Sequence, residues 1–445
     1  MTPTFRTSTR AVALCLGLFG LVGAGCNQDA PETDDLFNRF SLIESAPDHG
    51  LDRAALETRL VEAIDGAHTA ILLAFEDLES DAVADALIRA QARGVDVRVV
   101  GDVDSAAQHG FVRLLAELQP GPEGDVPVRF GDGGLDYSPM PTVAISRTGD
   151  MNRMTHNVLV VDERRVIDLS GGLPRTRDCA IGVDCTLPTF HQLGFDATSE
   201  DLGKDFADEV QTMYGGVFSN TLDSFGGPQK SNTNNRTHYI TTSGDIEVYF
   251  GPQERLLKRV IDEIYNARAS VWVVSDEFAN TYAAEALIYK AAAGFDVRVV
   301  IEPEGESCES AVDCPNRQQC AMGTCEVAFN VVDRLRTGFD DVRLPNHTAG
   351  VRYANDLRQT VVVIDALRSP VNGVSYTTRV FVLSQPMTSA IAYASGANNV
   401  PRPSDAFMDS NMWVMNALPT APDPDVDAVV ISVRDLYEAA TPATP

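Results

Sequence analysis

Residues 52–100 align with residues 252–300 without a gap, and 15 of the 49 positions are identical, where about three would coincide by chance at ordinary composition. A chain that repeats itself over this length has to build one unit twice. Each copy opens on a helix-period pattern. Leu56, Leu60, Val61 and Ile64 make the apolar face of the first, and Leu256, Leu257, Val260, Ile261 and Ile264 that of the second, where Pro252 stands at a first-turn position. Nearly continuous apolar runs follow, Ala70 to Phe75 and Ser270 to Val274, as expected of strands covered on both faces. Helices are predicted over 82–92 and 282–292, each ending at a glycine (Gly94, Gly294) before a second strand that reads Asp-Val-Arg-Val-Val in both copies. Strand, helix, strand in that order is a right-handed parallel unit, so the fold class is α/β, with two tandem α/β/α halves packed as a pseudo-twofold pair.

Each half also holds a short β-branched run closed by aspartate: Met154-Thr-His-Asn-Val-Leu-Val-Val-Asp162 and Leu357-Arg-Gln-Thr-Val-Val-Val-Ile-Asp365. Polar groups stand at the entrance of each run, Thr155, His156 and Asn157 in the first and Arg358, Gln359 and Thr360 in the second. A reactive or binding site can be assembled at such a strand entrance. A helix over about 200–214, with Leu202, Phe206, Val210 and Met213 on one face and Ser199 as its cap, closes the first half.

The ends of the chain read differently. Arg6 and Arg10 precede an uncharged run from Ala11 to Gly25 and then Cys26, the pattern of a secretory signal. Leu21-Val-Gly-Ala-Gly-Cys26 resembles a bacterial lipoprotein signal, with Gly23 where leucine is usual, which implies lipidation of Cys26, a membrane tether over 26–38 and a place in the cell envelope, periplasm or outer membrane. The expected layout is a signal over 1–25, a first half over 39–220, a linker rich in Asn, Gly, Ser and Thr over 221–244, and a second half over 245–440. Without residues 1–25 the balance is 33 basic against 63 acidic side chains, or −30. Such a surface repels polyanions, so a nucleic-acid partner is disfavoured.

Cysteine usage fits an oxidising compartment. Cys179 and Cys185 form one cluster and Cys308, Cys314, Cys320 and Cys325 another, within a polar insert over 306–326 that has too little apolar surface to order itself. Disulfides are expected in both, with the pairing in the insert open. The spacings are not Cys-x-x-Cys, the insert has no histidine, and the other histidines are not paired, so neither a metal site nor a cofactor is expected.

The order of helix, strand, helix, Gly-x-Asp-Val-Arg-Val-Val and an aspartate-closed strand, twice over, resembles the phospholipase D superfamily across nearly all of residues 40–440. Gly251-Pro-Gln-Glu-Arg-Leu-Leu, Asp208-Glu-Val-Gln-Thr-Met-Tyr-Gly-Gly-Val-Phe218 and Asp409-Ser-Asn-Met-Trp-Val-Met415 are similar to the start of that family's second half, the end of its first and a late strand. Members carry H-x-K-x-x-x-x-D in each half, followed by Gly-Ser-x-Asn. Anchored on Asp162, the first motif here has Thr155 and Asn157 in the His and Lys slots, with His156 between them. Anchored on Asp365, the second has Arg358 and Thr360. The tails read Leu169-Ser170-Gly171-Gly172 and Leu383-Ser384-Gln385-Pro386.

Cleavage through a phosphohistidine requires a nucleophilic imidazole, a second imidazole as acid and cations on the phosphate oxygens. Arginine cannot supply the first two roles, since it stays protonated. His156, Asp162 and Asp365 are therefore the candidate catalytic residues, and Asn157, Ser170, Arg358, Thr360 and Ser384 the candidate anion-binding ones. His156 reads equally as a buried strand histidine, and the aspartates and serines as turn residues. Three functions follow: a degenerate phosphodiesterase that keeps an anion site between its halves, an active one working on phospholipids or another phosphodiester through His156, or a scaffold lipoprotein that recognises a protein partner through its cysteine insert.

Overall fold

In the computed structural model the described residues are 39–102, 105, 107–118, 128–130, 153–173, 189–211, 213, 238–241, 244–251, 254–302, 318–321, 324–327, 331–342, 348–366, 376–388, 390–393, 401–404 and 408–443. The signal and tether, Cys179, Cys185, Cys308, Cys314 and most of the 221–244 linker lie outside them.

The first half runs β1 (Arg39–Ser45), α1 (Arg53–Asp65), β2 (Ala70–Phe75), α2 (Asp81–Ala92), β3 (Asp96–Gly101), α3 (His109–Glu117), β4 (Val128–Phe130), β5 (Arg153–Met154), β6 (Asn157–Val161), β7 (Arg165–Leu169), β8 (Gln192–Thr198) and α4 (Glu200–Gln211). After β9 (His238–Ile240), the second half runs β10 (Asp245–Phe250), α5 (Leu256–Asn266), β11 (Ser270–Ser275), α6 (Thr281–Ala292), β12 (Asp296–Ile301), β13 (Gln318–Ala321), β14 (Thr324–Val327), α7 (Val331–Asp340), β15 (Gly350–Tyr353), β16 (Thr360–Ile364) and β17 (Thr378–Leu383). It closes with β18 (Ala390–Tyr393), β19 (Pro401–Ser404), β20 (Met408–Asp409), β21 (Asn411–Ala417), α8 (Pro424–Ala439) and β22 (Thr441–Pro442).

The duplication predicted from sequence is exact in topology. One sheet is ordered β1-β8-β7-β6-β2-β3-β4 and the other β10-β21-β17-β16-β11-β12-β15, with β9 and β22 added at its two edges. In both, the two repeat strands pair in parallel (β2 with β3, β11 with β12), while the aspartate-closed strand enters antiparallel beside the first of them. Local signals act twice as well: Ser80 and Asn280 accept from the third residue onward to cap α2 and α6. Gly94 and Gly294 end those helices at φ +92° and +87°, a conformation with little steric cost only for glycine. One expectation needs correction. Helix α5 starts at Leu256, not at Pro252, because Glu254 folds back to accept from Phe250 N at 2.7 Å and holds a turn ahead of the helix.

Helices α1, α2 and α3 line the outer face of the first sheet, and α5, α6 and α7 that of the second. Helices α4 and α8 cover the inner faces. The first sheet, the inner face of the second (Trp272, Val361, Val363, Val380, Val382, Trp413) and α8 share one apolar core, and the outer face of the second half forms another. Phe195 against Trp413 (centroids 5.4 Å apart) and Phe206 against Phe250 (5.0 Å) join the halves edge to face. They are not beads on a linker. Backbone bonds cross as well, His191 N to Asp356 O at 2.8 Å and Arg358 N to His191 O at 2.9 Å. In the cysteine insert, Cys320 and Cys325 are register partners of the β13–β14 hairpin.

Candidate functional site at the seam of the halves

The closing aspartates have the same task in each half. Asp162 accepts from His68 N, Thr69 N, Ala70 N and Thr69 Oγ1, and Asp365 from Arg268 N, Ala269 N and Ser270 N, all at 2.6–3.3 Å. Each therefore pins the loop that leads from the first helix into the first strand. Both residues have φ near +55°, where aspartate is among the few tolerated side chains. Burial raises the Asp162 carboxyl pKa, but the hydrogen bonds from Ala70, Thr69 and His68 outweigh it and leave the pKa lowered. These aspartates sit at the far ends of β6 and β16, roughly 17 Å along the strand from the polar entrances. They belong to the architecture, and neither approaches a site at those entrances.

At the entrances, side chains alternate between faces. Asn157 is held by Glu76 N on its Oδ1 (3.1 Å) and gives its Nδ2 to Thr155 O (3.1 Å). His156 points the other way, toward α4. It is fully buried, with Nε2 3.4 Å from Glu209 Oε1 and its ring 6.4 Å from that of Phe250. Glu254 stands close enough to Glu209 to feel its charge, although burial is the main reason its carboxyl is pushed upward. No path from solvent leads to this imidazole through its own surface, which is 0% exposed.

The three hydroxyls singled out in the sequence are occupied. Ser170 Oγ donates to Arg358 O and accepts from Leu193 N, both at 3.0 Å. Ser384 Oγ repeats the pattern on Asn411, donating to its O (3.3 Å) and accepting from its N (2.9 Å). Thr360 Oγ1 lies 3.0 Å from Ser275 Oγ, whose own proton goes to Glu277 O, so Thr360 is the donor. The expected anion pocket of Asn157, Ser170, Arg358, Thr360 and Ser384 thus loses its three hydroxyl donors, because each has a single proton and has already given it away, and Arg358 is the one cation among the five.

That cation is surrounded. The Arg358 guanidinium lies over the Phe190 ring at 5.4 Å. Burial pulls its pKa down, but the negative charges of Asp77, Asp276, Glu302 and Glu76 more than reverse this and leave it raised. Those carboxylates stand just beyond the carboxyl ends of β2, β11 and β12, where open α/β sheets place their ligands. Asp77 is also fixed by Ser105 Oγ (2.6 Å) and Gln108 Nε2 (2.5 Å). The signal for this cluster was present in the repeat: Glu76 and Asp276, and again Asp102 and Glu302, occupy equivalent positions after equivalent strands. Among the described residues no group of three or more His, Cys, Asp or Glu side chains is arranged to hold a metal.

Among solved structures the chain is similar to phosphatidylserine synthase from Haemophilus influenzae Rd KW20, with a TM-score of 0.56 and 11% identity over 91% of this chain and 87% of that one. The two share their fold. Lower similarity extends to polyphosphate kinase from Porphyromonas gingivalis (TM-score 0.45, 10% identity, 90% of this chain and 50% of that) and to the phospholipase D family member Nuc from Salmonella typhimurium (0.26, 17%, 40% and 94%). No family model and no curated protein sequence matches the chain. Measured against the H-x-K-x-x-x-x-D pattern that the sequence resembles, Thr155, Asn157, Arg358 and Thr360 stand at the His and Lys positions, and His156 lies between two of them on the opposite face.

Proposed function

We propose that this chain is a lipid-anchored envelope protein of the phospholipase D superfamily that keeps the two-half scaffold and has lost phosphodiester turnover. The observation that carries this reading is the direction of His156, whose side chain is buried against Glu209 beneath α4 rather than turned toward Arg358 and its carboxylates. No histidine stands in a motif slot, and arginine in the second His slot cannot shuttle a proton. The loss of both lysines removes preorganised charge, and a single such donor is worth roughly 100- to 1000-fold in rate. The carboxylates around Arg358 take the place that a phosphate would occupy electrostatically, so any anion site left between the halves is weak. The phosphatidylserine synthase has a phospholipid product, which makes phospholipids the first substrates to try.

The test has two arms. Phosphatidylglycerol, phosphatidylcholine and bis-nitrophenyl phosphate are assayed with the parent and with His156→Ala, and phosphate is titrated against the parent and Arg358→Ala. The expected result is no turnover above buffer in either protein, and phosphate affinity weaker than about millimolar. Robust hydrolysis that vanishes in His156→Ala would restore the active-enzyme reading. Tight phosphate binding lost in Arg358→Ala would restore a working anion pocket.

A further inference from the structure

Asp168 on β7 and Asn411 on β21 meet across the two halves, 243 residues apart in sequence. Asn411 Nδ2 donates to Asp168 Oδ2 at 2.7 Å, and both residues are at most 1% exposed. Each is left with one oxygen that has no partner among the described residues, Asp168 Oδ1 and Asn411 Oδ1. An ionised carboxylate only accepts, and so does an amide oxygen, so in that state two acceptors would be stranded in a dry interior. One proton on the acid removes both defects, since a carboxylic acid and a primary amide are complementary, each giving one hydrogen and taking one. We propose that Asp168 is held as a neutral acid that donates to Asn411 Oδ1, closing a two-bond clasp between the halves that opens when the proton is lost to base.

The repeat supplies an internal control. Ser170 and Ser384 make matching backbone bonds to Leu193 and Asn411, which aligns Asp168 with Val382 and Asn411 with Leu193. The fold thus fills the twofold-related positions with two apolar side chains and does not require a polar pair. The surroundings favour the neutral form. The cross-strand neighbours of Asp168 are Val158 and Phe195. The titratable groups on this face are His156 at the entrance of β6 and Glu209 on α4, engaged with one another at 3.4 Å. Half two presents Asn411 to it. No cation makes an ion pair with Asp168 among the described residues, and burial pushes its carboxyl well above the usual range, with the Asn411 bond opposing.

A native carboxyl that binds its proton more tightly than the unfolded chain makes stability fall as pH rises, from about pH 4 up to the native pKa. Urea unfolding of the full chain between pH 5 and 9 reads this directly. Relative to Asp168→Asn, which can form the same two bonds without a titrating proton, the parent should lose up to about tenfold in its folding equilibrium constant per pH unit until the native carboxyl itself titrates. Infrared spectra at pH 7 should contain a protonated-carboxyl carbonyl band in the parent that Asp168→Asn lacks. The double variant Asp168→Val with Asn411→Leu, which copies the other half, should fold and follow the same pH course as Asp168→Asn. Parallel pH curves for the parent and these variants, together with no such band, would overturn the clasp.

Discussion

Replacing Asp365 by alanine separates architecture from chemistry. The carboxylate accepts from Arg268 N at 2.9 Å, Ala269 N at 2.6 Å and Ser270 N at 3.2 Å, the last two in buried surroundings. Alanine would strand those two buried N–H groups, at about 1–3 kcal/mol each. It would also have to hold φ +55°, which costs a non-glycine residue about 1–2 kcal/mol and aspartate less. Together these give a loss on the order of 3–8 kcal/mol, a large part of the roughly 5–15 kcal/mol that holds a typical protein folded. Asp365→Asn keeps an acceptor and a side chain tolerated at this φ, and forfeits mainly charge assistance, so about 1–2 kcal/mol should go. Urea denaturation of parent, Asn and Ala variants measures the series, with the slope against denaturant checking that the same surface unfolds. A loss below about 1 kcal/mol in Asp365→Ala would refute the pinning role, as would an Asn variant as damaged as the Ala one. At Asp162 the side chain is partly exposed, so water replaces some of the bonds and the Ala penalty should be smaller. Its native pKa is lowered, so the stability it contributes is complete above the ordinary aspartate pKa and disappears as pH falls through the native value. The parent should accordingly lose stability as pH falls below about 4 that Asp162→Asn does not.

Gly171→Ala should destabilise by about 1–3 kcal/mol in a thermal melt, because the added Cβ would stand 2.5 Å from Arg358 O and 2.6 Å from Arg358 Cβ, both in the opposite half. Cys26→Ser should release the protein from membranes into the soluble envelope fraction and abolish labelling by a fatty-acid analogue, since several acyl chains at about 0.8 kcal/mol per buried methylene are what the tether would hold by. An unlabelled parent would sink the lipid anchor. Arg358→Met should lower the melting temperature at pH 7, because it leaves the carboxylates of Asp77, Asp276, Glu302 and Glu76 facing one another without their shared cation. An unchanged melt would mean that they are too far apart to interact.

Topology was legible in the sequence because it was written twice. The gapless repeat carried the parallel units and the glycine stops, which depend on local spacing. The direction of His156 was not legible, because a one-residue shift in a strand exchanges faces and the entrance to β6 could have carried a bulge. The destinations of the serine hydroxyls were equally hidden. Ser170 and Ser384 look like the remains of a phosphate-binding tail in sequence, yet each bonds a backbone that arrives from more than twenty residues away. Two of the acids around Arg358, Glu76 and Asp276, are a repeat-equivalent pair, but the convergence of all four on one side chain depends on how the two halves meet. The start of α5 was misplaced by four residues because a proline marks where a helix is permitted to begin, while the Glu254 turn decides where it does.

The two halves also separate what the scaffold needs from what chemistry would need. Features kept in both copies are backbone devices: the aspartate that pins the strand entry, the serine that bridges the neighbouring strand, the caps and the glycine stops. Features that differ are the side chains at the seam: Thr155 against Arg358, His156 against Gln359, Asn157 against Thr360, Asp168 against Val382 and Leu193 against Asn411. A symmetric enzyme that uses one imidazole as nucleophile and its twofold mate as acid requires the same residue at both positions, so the asymmetry there fits the proposed loss of that chemistry. Asymmetry suits a seam that has only to close. Each half can then contribute a different group, as Arg358 does to the carboxylates of both halves and Asn411 to Asp168, and the price of an unmatched group on one side is met by a partner on the other.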